Sequence, residues 1–561
     1  MNGVTVRNGA TALLEALEAE GVQTIFGYPG GAIMPFYDAL YGHAIRHVLV
    51  RHEAAAVFAA AGYARTSGRV GVCCATSGPG ATNLVTGLLD AHMDSVPLVA
   101  ITGQVRSELM GTDGFQEADV CAITQAATKW NVRISDPARI GETIAEAFAI
   151  ARGGRPGPVL VDVPADMLKA VVEQASRAER RNEAVAPRAT AASITAAAAR
   201  IRAARRPVAI IGGGVRRGEA VAAYRRFVGM LGLPHCSTIN ALGAGEPGDP
   251  HDLQMLGMHG HKSANRAVHS ADLIIALGMR FDDRVTGKPD RFARDAAVIH
   301  ADIDASEFNK IIPAAVTLHG DLESTLTALI AELERGRVPR FHDWAIEART
   351  LGGPLPSDRV APGVLSATDV LDRFFAQVQP DAVITTDVGQ HQMWAAQRVR
   401  PYDPRSFTTS AGLGSMGFGL PCAVGAAYAN PGRAVYAIVG DGGFQMSLPE
   451  LATLRRYDVP VKIVLMDNQN LGMVRQWQEL FYSERYSATN LSDNPDFAAI
   501  ARAYRIDAYT LDDPARADAT LAEFIAAPGP ALLHCACHPT ENVWPMIPAG
   551  QTIDELMEAK A

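Results

Sequence analysis

An acidic residue between glycines follows one of the most apolar runs of this chain. The run "AVYAIV" ends before Gly440 and leads into "GDGGFQMS", so Asp441 comes at the end of a predicted buried strand. A second apolar run, "VKIVLM", is followed by Asn468 and Asn470. A carboxylate, an amide oxygen and a backbone carbonyl suit an octahedral Mg²⁺ that also binds phosphate oxygens. We therefore predict that Asp441, Asn468 and Asn470 bind a magnesium ion.

The glycines beside Asp441 also have a simpler interpretation. A Gly-Asp-Gly-Gly turn on its own more often contains an Asp that only caps a helix. The pairing of Asp441 with Asn468 across a strand–helix–strand unit favours the metal site. This Gly-Asp-Gly…Asn arrangement resembles the signature of enzymes that bind thiamine diphosphate through Mg²⁺. Two adjacent asparagines commonly end that signature, whereas this chain has Asp467 followed by Asn468.

A second acidic residue, Glu53, follows the apolar run "HVLV" and begins the alanine-rich stretch "EAAAVFAAAGYAR". Thiamine diphosphate enzymes need a carboxyl group against the aminopyrimidine ring of the cofactor, where it shares a proton with a ring nitrogen. The alternative is a helix-start residue that the helix dipole favours. Because its surroundings resemble those of the family's carboxylate, we predict that Glu53 activates the cofactor.

Long stretches in all parts of the chain resemble one family, the catalytic subunits of acetolactate synthases, also called acetohydroxyacid synthases. The stretches include "TSGPGATNLVTGL", "GTDGFQEADV", "GMRFDDRVTGK", "TSAGLGSMGFGLP" and "DNQNLGMVRQWQELFY". The resemblance implies decarboxylation of pyruvate and condensation of the remaining two-carbon unit with a second 2-oxoacid, pyruvate or 2-oxobutyrate. The expected product is 2-acetolactate or 2-aceto-2-hydroxybutyrate, early in branched-chain amino-acid biosynthesis.

The same resemblance implies which residues surround the thiamine cofactor. Gln116 and Phe115 are expected to line the active site, and Met416 to support the bent shape of the cofactor. Trp477 corresponds to a family tryptophan that shapes the pocket of the second 2-oxoacid; a simple core tryptophan is the alternative. The other expected contacts to thiamine diphosphate are Gly30, Gly31, Pro79, Asn83, Gly389, Gln390, His391, Gly414, Gly442, Gly443 and Met473.

The middle of the chain resembles the FAD site of these biosynthetic enzymes. The stretch "GMRFDDRVTGK" carries this likeness, because a glycine turn such as "IIGGGV" alone is weak evidence for a dinucleotide site. The reaction has no net redox step, so the flavin is expected to be structural. The expected FAD contacts are Arg155, Gly212, Gly213, Gly214, Met258, His259, Gly278, Arg280, Asp282, Arg284, Asp302, Asp304 and Asp321.

One position departs from the family pattern. The family commonly has a lysine near the substrate entrance, in the stretch that here reads "DVPADM" and contains Ala165. The identity of the 2-oxoacid therefore stays open at this point, with Arg284 and Lys129 as other candidate cations. Two alternative functions also stay open: a related thiamine diphosphate-dependent lyase or acetyltransferase with another acceptor, and an inert homologue that acts as a binding partner. The presence of Glu53 and Asp441 argues against the inert homologue.

The order of apolar runs and helix-like segments predicts three α/β domains in tandem, each a doubly wound parallel sheet. We place a pyrimidine-binding domain at residues 1–175, an FAD-binding domain at 190–335, and a diphosphate- and magnesium-binding domain at 365–545. The stretch near 170–190 is rich in Ala, Glu and Arg, and the stretch after 335 is rich in Pro, Gly and Arg. Both are predicted to be linkers.

The composition narrows the partners and the compartment. The 561 residues carry a formal net charge of −9 without long runs of one sign, which argues against nucleic acid. No apolar run reaches the roughly 20 residues that cross a bilayer, and the start lacks a signal-peptide layout. Seven scattered cysteines favour a reducing cytoplasm. The resemblance implies a homodimer or homotetramer, in which Glu53 meets the partner's metal motif, and leaves a small regulatory subunit open.

Overall fold

The computed structural model describes residues 7–172, 186–216 and 218–559. These residues form three sheets of six strands, and the paired strands are parallel. The predicted fold class, three α/β units in tandem, is confirmed. Each sheet falls within one of the predicted domain ranges, whose boundaries stay predictions. The first predicted linker lies mostly on residues 173–185, outside the described residues.

The first sheet is built from residues 24–164. Its strands are β1 (Thr24–Gly27), β2 (Arg46–Leu49), β3 (Gly71–Ala75), β4 (Leu98–Gln104), β5 (Trp130–Arg133) and β6 (Pro158–Pro164). Its helices are α1 (Gly9–Ala19), α2 (Met34–Leu40), α3 (Glu53–Ser67), α4 (Pro79–Thr82), α5 (Val85–Met93), α6 (Val120–Thr124), α7 (Ile140–Arg152) and α8 (Ala165–Lys169). The strand order is β2-β1-β3-β4-β6-β5. The central strands are buried along their whole length, because helices cover both faces of such a sheet.

The second sheet is built from residues 207–319. Its strands are β7 (Pro207–Ile211), β8 (His235–Ser237), β9 (Asp252–Met255), β10 (Leu273–Leu277), β11 (Ala297–Asp302) and β12 (Val316–His319). Its helices are α9 (Ala191–Ala203), α10 (Ala220–Leu231), α11 (Lys262–His269), α12 (Asp283–Thr286), α13 (Leu322–Glu334) and α14 (His342–Thr350). The strand order is β12-β11-β10-β7-β8-β9, which places β7 and β10 at the centre. Both central strands are followed by turns that contain glycine.

The third sheet is built from residues 383–536. Its strands are β13 (Val383–Thr386), β14 (Phe407–Thr408), β15 (Val435–Gly440), β16 (Val461–Asp467), β17 (Asp507–Leu511) and β18 (Ala531–Ala536). Its helices are α15 (Ala367–Gln377), α16 (Gln390–Arg398), α17 (Gly419–Ala429), α18 (Asp441–Ser447), α19 (Leu451–Tyr457), α20 (Gly472–Phe481), α21 (Phe497–Ala503) and α22 (Ala517–Ala526). The strand order is β14-β13-β15-β16-β18-β17.

The carboxyl ends of β15 and β16 lie side by side. Gly440 is the register partner of Met466, so Asp441 and Asp467 leave the sheet next to each other. Asn468 follows directly. Ligands of open parallel sheets bind at this edge, which is where the sequence predicted the metal residues.

Helix α3 of the first unit packs against α17 of the third. A Cβ added at Gly62 would lie 2.1 Å from the carbonyl oxygen of Cys422, and one at Gly425 would lie 1.7 Å from that of Ala59. The two helix backbones therefore touch, which only glycine permits. The apolar residues around both helices belong to one buried cluster, so the first and third units share a core.

The second predicted linker contains a helix, which corrects the prediction for that stretch. Helix α14 lies within it and packs against α11 of the central unit. Trp344 is buried, and its indole N–H donates a 3.0 Å hydrogen bond to the carbonyl oxygen of Pro207. The Pro, Gly and Arg around this segment obscured a short helix whose tryptophan anchors it to the central sheet.

The seven cysteines are free thiols, and six of them are buried. Burial raises the pKa of the Cys422 thiol to about 12, so this side chain packs as a protonated apolar group. Among the described residues, no helix combines the length and the apolar character that crossing a bilayer requires.

Candidate active site

A cavity of about 820 Å³ lies between the central and third units, at the carboxyl ends of β15 and β16. This volume is in the range of cofactor and substrate pockets. The cavity brings together residues that the sequence assigned to three different groups. They are Asp441, Asn468, Asn470, Gly389, Gln390, His391, Gly414, Met416, Gly442, Gly443, Met473, Trp477, Met258, His259, Arg280, Asp282 and Arg284.

Asp441 begins α18 directly after β15, and its side chain is buried. Burial, reinforced by the neighbouring carboxylate of Asp467, raises the pKa of Asp441 to about 7. Two acidic side chains in a buried site favour a bound cation, because it would offset both the lost solvation and their mutual repulsion.

Asn494 and His534 hold these acidic side chains in place, and no motif or spacing pointed to either residue. The Asn494 amide donates to Asp441 Oδ2 at 2.8 Å and to Asp467 Oδ1 at 3.0 Å. His534 Nε2 lies 2.8 Å from Asp467 Oδ2. Burial acts to raise the pKa of Asp467, but the hydrogen bonds from His534, Asn494 and the backbone hold it below its usual value. Asp467 is therefore committed to supporting contacts, which accounts for an acid at that position.

Asn468 and Asn470 lie on the loop that follows β16. The Asn468 amide donates to Oε1 of Gln390 at 3.0 Å, and its Oδ1 accepts a 3.2 Å hydrogen bond from the backbone of Asn470. An amide oxygen has two lone pairs, so Oδ1 retains the capacity to bind a metal ion. A Cβ at Gly472 would lie 2.1 Å from Gln390 Oε1, so this glycine is needed for the contact.

His391 lines the cavity beside two glycines. Burial lowers its pKa to about 3, so the ring is neutral at physiological pH. A Cβ at Gly440 would lie 2.8 Å from His391 Nδ1, and one at Gly389 would lie 3.2 Å from it. Among the described residues, Nε2 has no hydrogen-bond partner. A buried ring nitrogen without a partner suits a polar group bound in the cavity.

The apolar side of the cavity carries one cation. Met416 lies near Gly442, where an added Cβ would be 3.5 Å from Met416 Cε. Trp477 packs edge-on against Phe481, with ring centroids 6.2 Å apart. The guanidinium carbon of Arg284 lies 5.9 Å from the centre of the Trp477 ring. Arg284 belongs to the central unit, so a cation and an aromatic wall from different units meet here.

Further charged residues of the central unit line the cavity, among them Asp282 and Arg280. The carboxylate of Asp282 accepts a 3.0 Å hydrogen bond from the backbone N–H of Arg284 and so caps α12. Burial raises the pKa of Asp282, while the charge of Arg280 acts in the opposite direction. The capping contact gives Asp282 a structural role whether or not a flavin binds.

The predicted glycines of the central unit meet where β7 and β10 end. A Cβ at Gly212 would lie 2.3 Å from the carbonyl oxygen of Gly278, and one at Gly214 would lie 2.9 Å from its Cα. Gly278 has a φ of +59°, which favours glycine. Gly213 faces Asn240, a residue of the cavity wall. These glycines form a layer behind that wall.

Arg155 reaches from the first unit to the central unit, and its predicted contact to FAD stays a prediction. Its Nη1 lies 2.7 Å from Glu307 Oε1 and 3.4 Å from Asp304 Oδ2. Burial raises the pKa of Asp302 to about 6. Asp321 caps α13. Glu307 lines the cavity, whereas Arg155 and the three aspartates do not.

The predicted residues of the first unit form a separate group outside this cavity. The Asn83 amide donates to Glu53 Oε2 at 2.9 Å. A Cβ at Gly80 would lie 3.4 Å from Glu53 Oε1 and 2.8 Å from Cγ2 of Thr76. A Cβ at Gly30 would lie 2.5 Å from Thr76 as well. Glu53, Asn83 and Gly30 therefore form one group near Thr76. Within the single chain, this group does not line the cavity that contains the predicted metal ligands.

Gln116 and Phe115 extend this first-unit group. A Cβ at Gly78 would lie 2.9 Å from the Cβ of Gln116, which has the unusual φ of +60°. Phe115 is 89% exposed in the single chain, which is high for an aromatic side chain. Pro79 begins α4, and Gly31 begins a short 3₁₀ helix with open space around its Cβ position.

Lys129, one of the two cations considered in place of the family lysine at Ala165, does not line the cavity of the single chain. Its Nζ donates to the carbonyl oxygens of Ile150 and Gly153 at 2.5 and 2.7 Å. Ala165 begins α8. Arg284 is the candidate cation that lines the cavity.

Three family descriptions match the chain, one in each unit. "Thiamine pyrophosphate enzyme, N-terminal TPP binding domain" matches residues 7–123. "Thiamine pyrophosphate enzyme, central domain" matches residues 194–329. "Thiamine pyrophosphate enzyme, C-terminal TPP binding domain" matches residues 387–535.

Individual relatives narrow this assignment. The acetolactate synthase isozyme 2 large subunit of Escherichia coli is 48% identical over 98% of this chain and 99% of its own length. An acetolactate synthase of Mycobacterium bovis is 46% identical over 98% of this chain and 91% of its own length. The probable acetolactate synthase large subunit of Methanocaldococcus jannaschii is 42% identical over 98% of this chain and 95% of its own length. The chain belongs to the acetolactate synthase family.

Membership of the acetolactate synthase family confirms the resemblance and the enzyme class. The chain is a thiamine diphosphate enzyme that acts as an acetolactate synthase. The alternatives of an inert homologue and of a related enzyme with another acceptor are not supported. The roles of individual residues stay predictions.

Asp387 is a further buried acidic residue of this acetolactate synthase family member, and it is not among the residues predicted from the sequence. Burial raises the pKa of Asp387 to about 7, and its Oδ1 accepts backbone N–H groups from Val388 at 2.7 Å and Gly417 at 2.9 Å. A Cβ at Gly443 would lie 2.6 Å from Asp387 Oδ2. Asp387 follows the apolar run "AVITT" much as Asp441 follows "AVYAIV". That parallel was a signal that could have identified it.

Proposed function

We propose that the chain condenses pyruvate with a second molecule of pyruvate or 2-oxobutyrate, with thiamine diphosphate bound through Mg²⁺ and FAD bound in the central unit. The observation that carries this proposal is the single cavity shared by Asp441, Asn468 and Trp477 of the third unit and Arg284 of the central unit. A metal site, an aromatic wall and a cation for a carboxylate substrate are the parts that this chemistry needs.

The residues present fit a magnesium ion. Asp441 offers a buried carboxylate, Asn468 an amide oxygen with a spare lone pair, and the loop at Asn470 a backbone carbonyl. Mg²⁺ accepts such hard oxygen ligands and keeps positions for phosphate oxygens. His391, whose Nε2 is unpartnered among the described residues, would hydrogen-bond the diphosphate group.

The chemistry that thiamine diphosphate supplies is a nucleophilic carbon that adds to the keto group of a 2-oxoacid and accepts the electrons released on decarboxylation. Glu53 would hold a proton on Oε1 for the aminopyrimidine ring. Asn83 fixes the carboxyl group by its bond to Oε2, and among the described residues no hydrogen bond engages Oε1. Met416 would support the cofactor from the apolar side of the cavity.

The central half of the cavity fits a structural flavin. Arg280 and Arg284 line it, and the close contact of Gly214 with Gly278 keeps side chains out of the loops behind the wall. Cationic side chains and glycine loops suit the pyrophosphate of a dinucleotide. Condensation of two 2-oxoacids needs no net electron transfer, so these residues would bind the flavin without using its redox chemistry.

The acceptor 2-oxoacid would lie beside Arg284 and Trp477, which face the same cavity. A guanidinium binds a carboxylate through paired hydrogen bonds. The indole wall would favour an ethyl over a methyl group by about 1–3 kcal/mol, so preference between 2-oxobutyrate and pyruvate would be graded.

The separate positions of the Glu53 group and the Asp441 group support a homodimer or homotetramer. In such an assembly the first unit of one protomer would complete the cavity of the other. Several relatives are named large subunits, which supports a small regulatory subunit as a further partner. Seven free thiols support a reducing cytoplasm.

The test is an assay of the purified chain with pyruvate, thiamine diphosphate and Mg²⁺, with and without 2-oxobutyrate. We expect acetolactate, a flavin absorption spectrum, and loss of product when Mg²⁺ is removed by a chelator. Acetaldehyde without acetolactate would contradict the condensation, and full activity of a flavin-free preparation would contradict the FAD proposal.

A further inference from the structure

Two buried aspartates at the end of α5 lie where the three units meet. Asp90 and Asp94 are fully buried, and both pair with Arg65 of α3, at N–O distances of 3.1 and 2.9 Å. Arg65 is equally buried and also donates to the carbonyl oxygen of Thr409 at 2.9 Å. The two carboxylates offset the charge of Arg65, because an unpaired charge buried here would be costly.

Asp94 accepts four hydrogen bonds from three parts of the chain. Its Oδ1 accepts the N–H of Gly412 at 2.9 Å and the Asn240 amide at 3.0 Å. Its Oδ2 accepts the N–H of Ala411 at 3.0 Å and the Arg65 guanidinium at 2.9 Å. All four partners are donors. Only an ionised carboxylate satisfies them, since an amide at this position would turn its NH₂ toward two donors.

Asp90 holds the same loop from its other end. Its Oδ1 accepts hydrogen bonds from the hydroxyl groups of Ser410 and, at 3.3 Å, Ser415. The Ser410 hydroxyl in turn accepts the backbone N–H of Ser415 at 2.8 Å. Residues 410–414 and Met416 line the cavity. The loop that forms this part of the cavity wall is therefore tied to the first unit by two carboxylates.

The central unit is tied to the same point. Asn240, which Asp94 binds, lines the cavity, and a Cβ at Gly412 would lie 3.3 Å from the Arg280 guanidinium. Ser95 follows Asp94 directly and accepts a 2.9 Å hydrogen bond from Arg155 Nε. One short segment thus contacts residues assigned to both cofactor regions.

We propose that Asp94, paired with Arg65, is a positioning residue that sets the conformation of the 410–416 loop for thiamine diphosphate binding. Asp94 acts through the amides of Ala411 and Gly412 and touches neither substrate nor the expected metal. Because Asn240 shares its carboxylate, the same contact links the loop to the central half of the cavity. The inference rests on the proposed place of thiamine diphosphate in this cavity.

The test compares Asp94→Asn with Glu20→Gln in the full chain, by hydrogen exchange and by kinetics. Glu20 pairs with Arg152 at 2.8 Å and is buried in the first unit among residues that do not line the cavity, so it controls for the loss of a buried ion pair. For Asp94→Asn we expect exchange at Ala411 and Gly412 to rise by about tenfold or more, while the strand amides of the third sheet stay protected.

The kinetic measurements distinguish a positioning role of Asp94 from a general loss of protein stability. We expect Asp94→Asn to raise the half-saturating concentration of thiamine diphosphate by about tenfold, the size of one lost charged hydrogen bond, while KM for pyruvate changes by less than about twofold. Glu20→Gln should lower the melting temperature without either change. Equal exchange patterns in the two variants, or an unchanged half-saturation in Asp94→Asn, would overturn the proposal.

A second variant covers the case in which Asp94→Asn does not fold. Ser410→Ala removes only the hydroxyl that joins Asp90 to Ser415, and we expect a smaller rise in loop exchange and in the half-saturation for thiamine diphosphate. No rise in either would contradict the proposal. Exchange is also measured without cofactors, so the loop result stands even if the assay contradicts the proposed function.

Discussion

The first and third units have separate sheets with the same strand order, but they carry different functional residues. The first sheet has the order β2-β1-β3-β4-β6-β5 and the third has β14-β13-β15-β16-β18-β17, so each strand of one has a counterpart in the other. Helix α3 precedes β3 as α17 precedes β15, and these two matching helices touch through Gly62 and Gly425. The pair is therefore related by topology and by packing.

The difference lies at the ends of the matching elements. β15 is followed by the buried Asp441, whereas β3 is followed by Thr76 and a glycine turn without a carboxylate. Conversely, α3 begins at the acidic Glu53, whereas α17 begins at Gly419. In the proposed function one unit would supply the acid and the other the metal site, so neither unit would be sufficient for the proposed chemistry.

The largest expected effect comes from Glu53→Gln, which removes the carboxyl group that we propose holds a proton for the cofactor. Turnover should fall by about 10²–10⁴-fold, the contribution of a positioned acid or base. The amide retains the shape of the side chain and an oxygen that can accept the Asn83 hydrogen bond, so flavin content and melting temperature should stay unchanged. Steady-state kinetics with pyruvate, an absorption spectrum and a thermal melt check these outcomes.

The matched variant in the third unit, Asp441→Asn, sharpens this comparison. It should weaken binding of Mg²⁺ and thiamine diphosphate, measured by calorimetry, whereas Glu53→Gln should leave that binding within a few-fold of the unsubstituted protein. Near-normal turnover of Glu53→Gln would refute its role. If both variants lost cofactor binding equally, the division of labour between the units would be wrong.

A smaller effect is expected at the contact of the two related helices. Gly425→Ala places a methyl group against the carbonyl oxygen of Ala59 and should destabilise the protein by about 1–3 kcal/mol or more. Gly229→Ala is the matched control, because Gly229 lies within α10 with open space around its Cβ position. There the same change should stabilise by about 0.5–1 kcal/mol. Thermal melts of both variants test this difference. Equal shifts in melting temperature would mean that the α3–α17 contact tolerates a methyl group at Gly425.

Much of the fold could be predicted from the sequence because apolar runs with glycine turns at their ends report parallel strands directly. Asp441 and Asn468 could be predicted to lie close together for the same reason, since each follows such a run. The helix at Trp344 was missed because its anchor, Pro207, is distant in sequence. Asn494 could not be found, because its amide meets Asp441 only through the tertiary fold.

The last comparison concerns Asp387, whose counterpart position after β1 is occupied by the partly exposed Tyr28. Because burial raises the pKa of Asp387 to about 7, the native state retains a proton that the unfolded state has lost between about pH 4 and 7. Stability therefore falls as the pH rises through this window. Asp387→Asn keeps the Oδ1 acceptor for Val388 and Gly417 but cannot ionise, so its stability should decline less over the same range.

Urea unfolding midpoints at pH 5 and pH 7.5 test this difference for Asp387→Asn against the unsubstituted chain. The midpoint is the appropriate measure, because a chain with three units need not unfold in two states. Tyr28→Phe, at the matching position of the first unit, removes only a hydroxyl group and leaves Asp387 in place, so it should leave the pH dependence as it is. If the pH dependence of Asp387→Asn equalled that of the unsubstituted chain, the carboxyl group would have to be ionised in the native state throughout, held by its backbone N–H donors in spite of burial.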